Sequence, residues 1–129
     1  MDRRPDRVYG IPVQDHAVFL VRYPGGFGPA GGVFAPLAED RKAEVQAHLV
    51  EQLGIVARRI WGQGAFDYRH PEEDREFFSG FYTIWQWDGD IPEERGAWLG
   101  QAQVASLNVV PSLKILLTSI IDMQALQTT

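Results

Sequence analysis

The chain has 129 residues, enough for one compact domain whose core covers roughly two thirds of the unfolded surface. It contains no cysteine, which excludes disulfides, thiolate nucleophiles and zinc-thiolate sites, and its net charge of -5 opposes binding to nucleic-acid phosphates. No apolar run approaches the roughly 20 residues that span a bilayer, and the charged N-terminus lacks a signal-peptide segment. We therefore expect a cytoplasmic protein with neither a nucleic-acid nor a membrane partner.

The N-terminal part predicts a tail and two strands. Residues 1–7 are mostly charged and are predicted to form a flexible tail, with residues 8–129 as a single domain. Val8 to Val13 and His16 to Tyr23 are predicted strands. The second contains the continuous apolar run Ala17 to Val21, which is typical of a strand buried on both faces.

The clearest helix prediction covers Asp40 to Leu53, a segment without Pro or Gly. Gly54 supplies a C-terminal stop signal. The apolar residues at helical spacing are Ala43, Ala47, Leu49, Val50 and Leu53.

The middle of the chain predicts two longer strands. Ile55 to Ile60 and Gly64 to Arg69 fit one bent strand with a bulge near Gly62 and Gly64. After a polar loop, alternating side chains from Glu76 to Trp87 predict a long, largely buried central strand whose rings mainly pack in the core.

The C-terminal part predicts a short edge strand at Ala97 to Leu99 and a short helix from Gln101 to Leu107. Pro111 is placed to begin a terminal helix that runs to about Leu126 and packs an apolar stripe on the sheet. Two substantial helices and a mixed sheet covered on both faces predict an α/β sandwich.

A pattern of glycines, acids and aliphatic residues runs through residues 31–55, including Glu39, Leu49, Glu51 and Gly54. It resembles the signature of the Nudix hydrolases, G-x5-E-x7-R-E-U-x-E-E-x-G-U, in which U is a bulky aliphatic residue. The order of strands and the Pro-led final helix extend the resemblance over nearly the whole chain. The resemblance implies a Nudix-like α/β/α sandwich with a mixed sheet.

In that family the helical segment supplies carboxylate ligands for the divalent cations that promote pyrophosphate hydrolysis, so Mg²⁺ or Mn²⁺ is the implied cofactor of an active member. Here one of three carboxylates remains, and six residues rather than five separate Gly32 from Glu39. The corresponding positions are Ala47, His48, Leu49, Val50, Glu51 and Gln52.

The helix offers one alternative metal set. Glu44, His48 and Glu51 share a face, and such a set suits Zn²⁺ or Mn²⁺ better than Mg²⁺. A solvated polar face is the simpler interpretation, and acids from the loop at residues 72–76 offer another route to a complete site. Glu51 is the candidate catalytic residue.

The resemblance implies that Gly31, Gly32 and Glu39 contact substrate. Three functions remain open. The first is a divergent Nudix domain that binds a nucleoside diphosphate-linked compound, with hydrolysis impaired or absent and without need of a cofactor. The second is an active pyrophosphohydrolase with an altered metal set. The third is a non-catalytic dimerisation or interaction domain, and only the resemblance suggests a homodimer.

Two further patterns carry little functional information. Gly26 to Gly31 matches G-x-G-x-x-G, but Pro29 interrupts it and no helix follows directly, so a flexible loop is predicted instead of a dinucleotide-binding turn. His16, His48 and His70 are widely spaced, and without a Ser or Cys in a nucleophile turn they form no recognisable triad.

Overall fold

A computed structural model describes residues 3–127, which form seven strands, three α-helices and one 3-10 turn. The strands are β1 Arg7–Gln14, β2 Ala17–Tyr23, β3 Gly26–Gly28, β4 Ala30–Val33, β5 Val56–Tyr68, β6 Phe77–Asp88 and β7 Gly96–Leu99. The helices are α1 Arg41–Leu53, α2 Gln101–Ala105 and α3 Pro111–Gln127, and the 3-10 turn covers Glu93–Arg95.

The sheet is mixed, as predicted. Its main order is β3-β2-β1-β6-β5, with β4 paired to β1 and β7 paired to β2. β1 runs parallel to β6, whereas the other pairs are antiparallel. On its other side β1 pairs first with β4 and then with β2, so the sheet divides around β1 and leaves β4 next to helix α1.

Apolar layers cover both faces of the sheet, which confirms the α/β/α sandwich. On one face α1 buries three side chains, each worth about 1.5–3 kcal/mol relative to exposure. On the other face α3 buries four apolar side chains. The α1 residues are Val45, Leu49 and Leu53, and the α3 residues are Leu113, Leu117, Ile120 and Ile121.

Helix α1 forms where local sequence signals predict it. The Asp40 side chain accepts a hydrogen bond from the backbone N–H of Ala43 at 3.1 Å and so caps the first turn. At the other end Gly54 adopts a left-handed conformation, with φ of 69°, and donates its N–H to the Val50 carbonyl oxygen. These two caps set where the helix begins and ends.

The two long strands also agree with prediction. β6 lies between β1 and β5, and the β5 to β6 pairing shifts register between Gly62 and Gly64, at the predicted bulge. The predicted edge strand near residue 97 is β7, which pairs with β2. The predicted helix at residue 101 ends at Ala105, two residues early.

The prediction of a flexible loop over residues 26–31 is wrong. Gly26 to Gly28 form β3, and Gly31 and Gly32 lie in β4, paired with Tyr9 and Val8 of β1. Glycine is required at position 31 because a side chain there would collide with the Val8 carbonyl oxygen. Strand pairing, which no local pattern shows, decides this conformation.

The described part of the predicted tail makes defined contacts. Pro5 is buried, and the Asp6 N–H donates to the Phe78 carbonyl oxygen at 2.8 Å. The Arg4 guanidinium lies 3.7 Å from the Phe34 ring centroid and donates to the carbonyl oxygen of Ala38. These residues therefore join the tail to the segment after β4. No helix within residues 3–127 is long and apolar enough to cross a bilayer.

Candidate functional site

A cleft of about 330 Å³ opens beside the glycine-rich strand β4. Gly31 and Gly32 of β4 and Gln52 of α1 form one part of its lining. β1, β2, the loop after β5 and the 3-10 turn contribute Tyr9, Tyr23, His70, Glu72, Glu73 and Arg95. The cleft thus includes two of the three residues predicted to contact substrate, and it collects polar side chains from distant parts of the chain.

Gln52 fastens β4 to helix α1 through both atoms of its amide. Its Oε1 accepts from the Gly31 N–H at 3.0 Å, and its Nε2 donates to the Gly31 carbonyl oxygen at 2.8 Å. A carboxylate at this position would accept the first bond but would have no proton for the second. The amide therefore fits a structural role that glutamate would fill less well.

His48 makes a similar attachment one turn earlier. Its Nε2 lies 2.9 Å from the Val33 carbonyl oxygen, so this nitrogen carries the proton and donates. Glu44 accepts from the Ala35 N–H at 3.3 Å. The polar face of α1 is thus fastened to the segment that contains β4.

The donor set on α1 does not fit the metal site of the family. Glu44 and the Nε2 of His48 are hydrogen-bonded to backbone, and Gln52 carries no charge. Within residues 3–127, no three His, Asp or Glu side chains are placed to hold a metal ion. Glu51 is exposed and is the one remaining family carboxylate on the helix, too little for a hard cation that favours several oxygen ligands.

Glu39 lies away from the cleft. It borders a shallow depression with Asp40, Arg41, Lys42 and the ring of Tyr82, at the start of α1. The structure therefore brings Gly31 and Gly32 to the cleft but not Glu39. The predicted roles of these residues toward a ligand remain predictions.

His70 is a residue of the cleft whose importance the sequence analysis missed. It is 4% exposed. Its Nε2 donates to the Pro29 carbonyl oxygen at 3.1 Å, and its Nδ1 accepts from the Glu72 N–H at 3.1 Å. The ring stacks on Tyr9 at a centroid distance of 5.2 Å. These contacts select the neutral imidazole, and burial lowers the pKa of His70.

Three tyrosines surround this histidine. Burial raises the pKa of Tyr23 to about 12 and raises the pKa values of Tyr9 and Tyr68 still further. The phenols therefore stay protonated at neutral pH. Tyr9 and Tyr23 line the cleft; the Tyr23 hydroxyl donates to the Pro29 carbonyl oxygen at 3.5 Å, and Tyr9 can offer its O–H to a ligand.

A second cavity, of about 480 Å³, adjoins the first because His70 and Glu73 line both. Phe27 supplies an aromatic ring there, and Arg69 and Asn108 supply polar groups. Two adjoining cavities, one next to a glycine-rich strand and one with an aromatic ring, suit a ligand with two chemically different parts.

The buried histidine predicts a pH dependence of stability. Because the pKa of His70 is lower in the folded state than its ordinary value of 6.5, the unfolded chain takes up a proton first as the pH falls. Its contribution to the free energy of unfolding is therefore complete above pH 6.5 and is lost as the pH falls through the lower, folded pKa. Urea unfolding at a series of pH values from 7.5 to about 5 measures this loss.

A non-titrating variant separates His70 from the other groups. We expect His70→Gln to show a flatter pH profile of the free energy of unfolding than the wild type over this interval. Equal slopes for the wild type and His70→Gln would show that this imidazole is not the group responsible.

Comparison with known proteins supports the fold. No family model and no curated protein matches the chain. Among solved structures, a mutator MutT protein from Bacillus halodurans has a TM-score of 0.72 at 17% identity, over 92% of this chain and 82% of that one. A MutT structure from work on Aliivibrio salmonicida and Vibrio cholerae has a TM-score of 0.69 at 21% identity, over 95% and 99%.

A UDP-X diphosphatase is similar in fold as well. It has a TM-score of 0.69 at 15% identity, over 97% of this chain and 66% of that one. At these identities the similarity concerns the fold.

Proposed function

The chain has the fold of the Nudix hydrolases, and we propose that it binds a nucleoside diphosphate-linked compound without the metal-dependent hydrolysis of that family. The observation that carries this proposal is the attachment of β4 to α1. His48 and Gln52 replace two family glutamates, and both side chains hold backbone atoms of β4. The polar face of α1, where the family pattern would bind cations, is here bonded to β4, which forms the cleft wall.

The size and lining of the two cavities support the ligand class. The cleft beside Gly31 and Gly32, about 330 Å³ in volume, has room for a diphosphate next to β4. The adjoining cavity provides the Phe27 ring and the Asn108 amide for a second moiety. Together the cavities reach the range of typical small-molecule sites.

Weak cation binding is the reason to expect impaired hydrolysis. Cleavage of a pyrophosphate needs divalent ions to neutralise charge and to activate water. Mg²⁺ requires several hard oxygen ligands in octahedral geometry, and α1 offers the Glu51 carboxylate beside groups that are already bonded. In this proposal the protein therefore still binds its ligand but does not hydrolyse it.

Calorimetric titration with UDP-glucose and ADP-ribose tests the proposal. We expect binding of at least one of them in EDTA, with an affinity that changes less than about threefold when Mg²⁺ replaces EDTA. Incubation with Mg²⁺ or Mn²⁺ should release no nucleoside monophosphate, measured by chromatography. Glu51→Gln should bind as the wild type does, because this proposal gives Glu51 no metal to hold.

The alternative of an active enzyme gives the opposite result. Metal-dependent release of nucleoside monophosphate that disappears in Glu51→Gln, but persists in the exposed control Glu93→Gln, would establish a pyrophosphohydrolase with an altered metal set. Absence of binding to all nucleoside diphosphate compounds tested would instead overturn the binding proposal itself.

A further inference from the structure

Arg95 reaches the cleft because the chain before β7 is drawn close to β2. Its backbone N–H donates to the Pro92 carbonyl oxygen at 3.1 Å and closes the 3-10 turn. The next residue, Gly96, pairs with Val21 so closely that a side chain would collide with the Leu20 carbonyl oxygen. This close approach sets Arg95 among the residues that line the cleft with Gly31 and Gly32.

The Arg95 guanidinium has no bonding partner among the described residues. The side chain is exposed, and in the described part of the chain it forms no ion pair, hydrogen bond or ring contact. Arg7 provides the contrast, because its guanidinium pairs with Glu73 at 2.9 Å and stacks 3.7 Å from the Phe77 ring centroid. Among the described cleft residues Arg95 is the one cation.

Arg95 supplies the positive charge in a cleft whose other charged lining residues are Glu72 and Glu73. Arg7 already neutralises Glu73, which leaves Glu72 and Arg95 as the unpaired charged groups of the lining. The Tyr9 phenol is a neutral donor, the Tyr23 hydroxyl already donates to the Pro29 carbonyl oxygen, and the imidazole of His70 is bonded on both sides. A diphosphate carries about two negative charges, and a guanidinium binds phosphate oxygens in a planar, two-pronged geometry.

We propose that the Arg95 guanidinium binds the diphosphate group directly and takes the charge-neutralising place that metal ions hold in the family. This inference rests on the proposed function. It adds that the ligand binds in the absence of divalent cations because a side chain of the protein supplies the positive charge. Arg95 is a binding residue here, and no bond of the ligand is broken.

The test is calorimetric titration of UDP-glucose in EDTA with three variants. Arg95→Gln should weaken binding by about tenfold or more, the usual loss when a charged hydrogen-bond donor is removed. Arg95→Lys should retain part of the affinity, because the charge remains but the planar fork is lost. Arg59→Gln, at an exposed position on β5 outside both cavities, should bind as the wild type does.

The salt dependence of binding and a ligand without phosphates test whether the charge of Arg95 contacts the diphosphate. Raising the salt concentration from 50 to 200 mM should weaken wild-type binding more than Arg95→Gln binding, because one charge contact is screened. Any affinity for uridine, which lacks phosphates, should be the same in the wild type and Arg95→Gln.

The outcomes separate this inference from the function on which it rests. If the wild type binds UDP-glucose in EDTA and Arg95→Gln binds equally well, the role of Arg95 is wrong and the proposed function stands. A strict requirement for Mg²⁺ would also overturn the role of Arg95. If the wild type binds neither UDP-glucose nor ADP-ribose under any condition, both proposals fail together.

Discussion

Replacing Gly31 by alanine is expected to lower the free energy of unfolding by more than about 3 kcal/mol. The backbone φ is +147° at this position, a region that side chains disfavour. The added Cβ would also collide with the Val8 carbonyl oxygen and lie 2.7 Å from the Cα of Tyr9. β4 cannot shift to relieve this contact, because β1 holds it on one side and Gln52 bonds Gly31 itself.

Urea unfolding of Gly31→Ala and Gly26→Ala separates the cost of the positive φ from the cost of the steric collision. Gly26 also has a positive φ, +132°, but within residues 3–127 no atom beyond its two chain neighbours lies within 4 Å of the place that an added Cβ would occupy. Gly26→Ala should therefore lose only the conformational part, about 1–2 kcal/mol. Equal losses in the two variants would mean that the close approach of β1 at Gly31 contributes nothing.

Local signals in the sequence were sufficient for the main elements. α1 was predictable because its caps, Asp40 and Gly54, and its apolar spacing all lie within one short segment. β6 was predictable because its side chains alternate and both faces of the strand pack against apolar layers. The bulge in β5 was predictable because Gly62 and Gly64 interrupt an otherwise regular strand.

β4 was not predictable in the same way. Ala30, Gly31 and Gly32 carry almost no side-chain information, and their strand conformation depends on pairing with β1, about twenty residues earlier in the chain. A glycine-rich segment without apolar alternation is ordinarily a loop. Long-range pairing overrides that local preference here.

The residues of the candidate site were also predictable only in part from the sequence. The resemblance implies that Gly31 and Gly32 contact substrate, and both glycines line the cleft, although that contact stays a prediction. His70 and Arg95 come from a loop and a 3-10 turn whose positions depend on the packing of the whole domain. The pair Tyr9 and His70 is joined by a ring stack between distant segments, and no spacing in the sequence indicates it.

Helix α1 carries His48 and Gln52 at two positions where the Nudix pattern has glutamates. In the family pattern acids would occupy positions 48 and 52, and two like charges one turn apart repel unless cations bind them. Here the neutral side chain of Gln52 and the donating Nε2 of His48 bond backbone atoms of β4 directly. The wall of the cleft is therefore held without help from bound ions.

Because Gln52 holds β4 through two bonds, we expect Gln52→Leu to destabilise the domain by about 2–4 kcal/mol. Leucine keeps an apolar volume but leaves the Gly31 N–H and carbonyl oxygen without their present partners. Gln46 provides a matched control on the same helix, since its Oε1 accepts one bond from the Ala57 N–H at 2.8 Å. Gln46→Leu should lose about 1 kcal/mol, in proportion to one bond.

A third variant tests why glutamine occupies this position. Gln52→Glu introduces the carboxylate that the Nudix pattern has at this position, and at neutral pH it can accept from the Gly31 N–H but cannot donate to the Gly31 carbonyl oxygen. We therefore expect its free energy of unfolding, measured in urea with EDTA, to fall below that of the wild type. Wild-type stability in Gln52→Glu, or a loss in Gln52→Leu no larger than in Gln46→Leu, would contradict the two-bond attachment. In that case the wall of the cleft would depend on the pairing of β4 with β1 and on the bond between His48 and Val33.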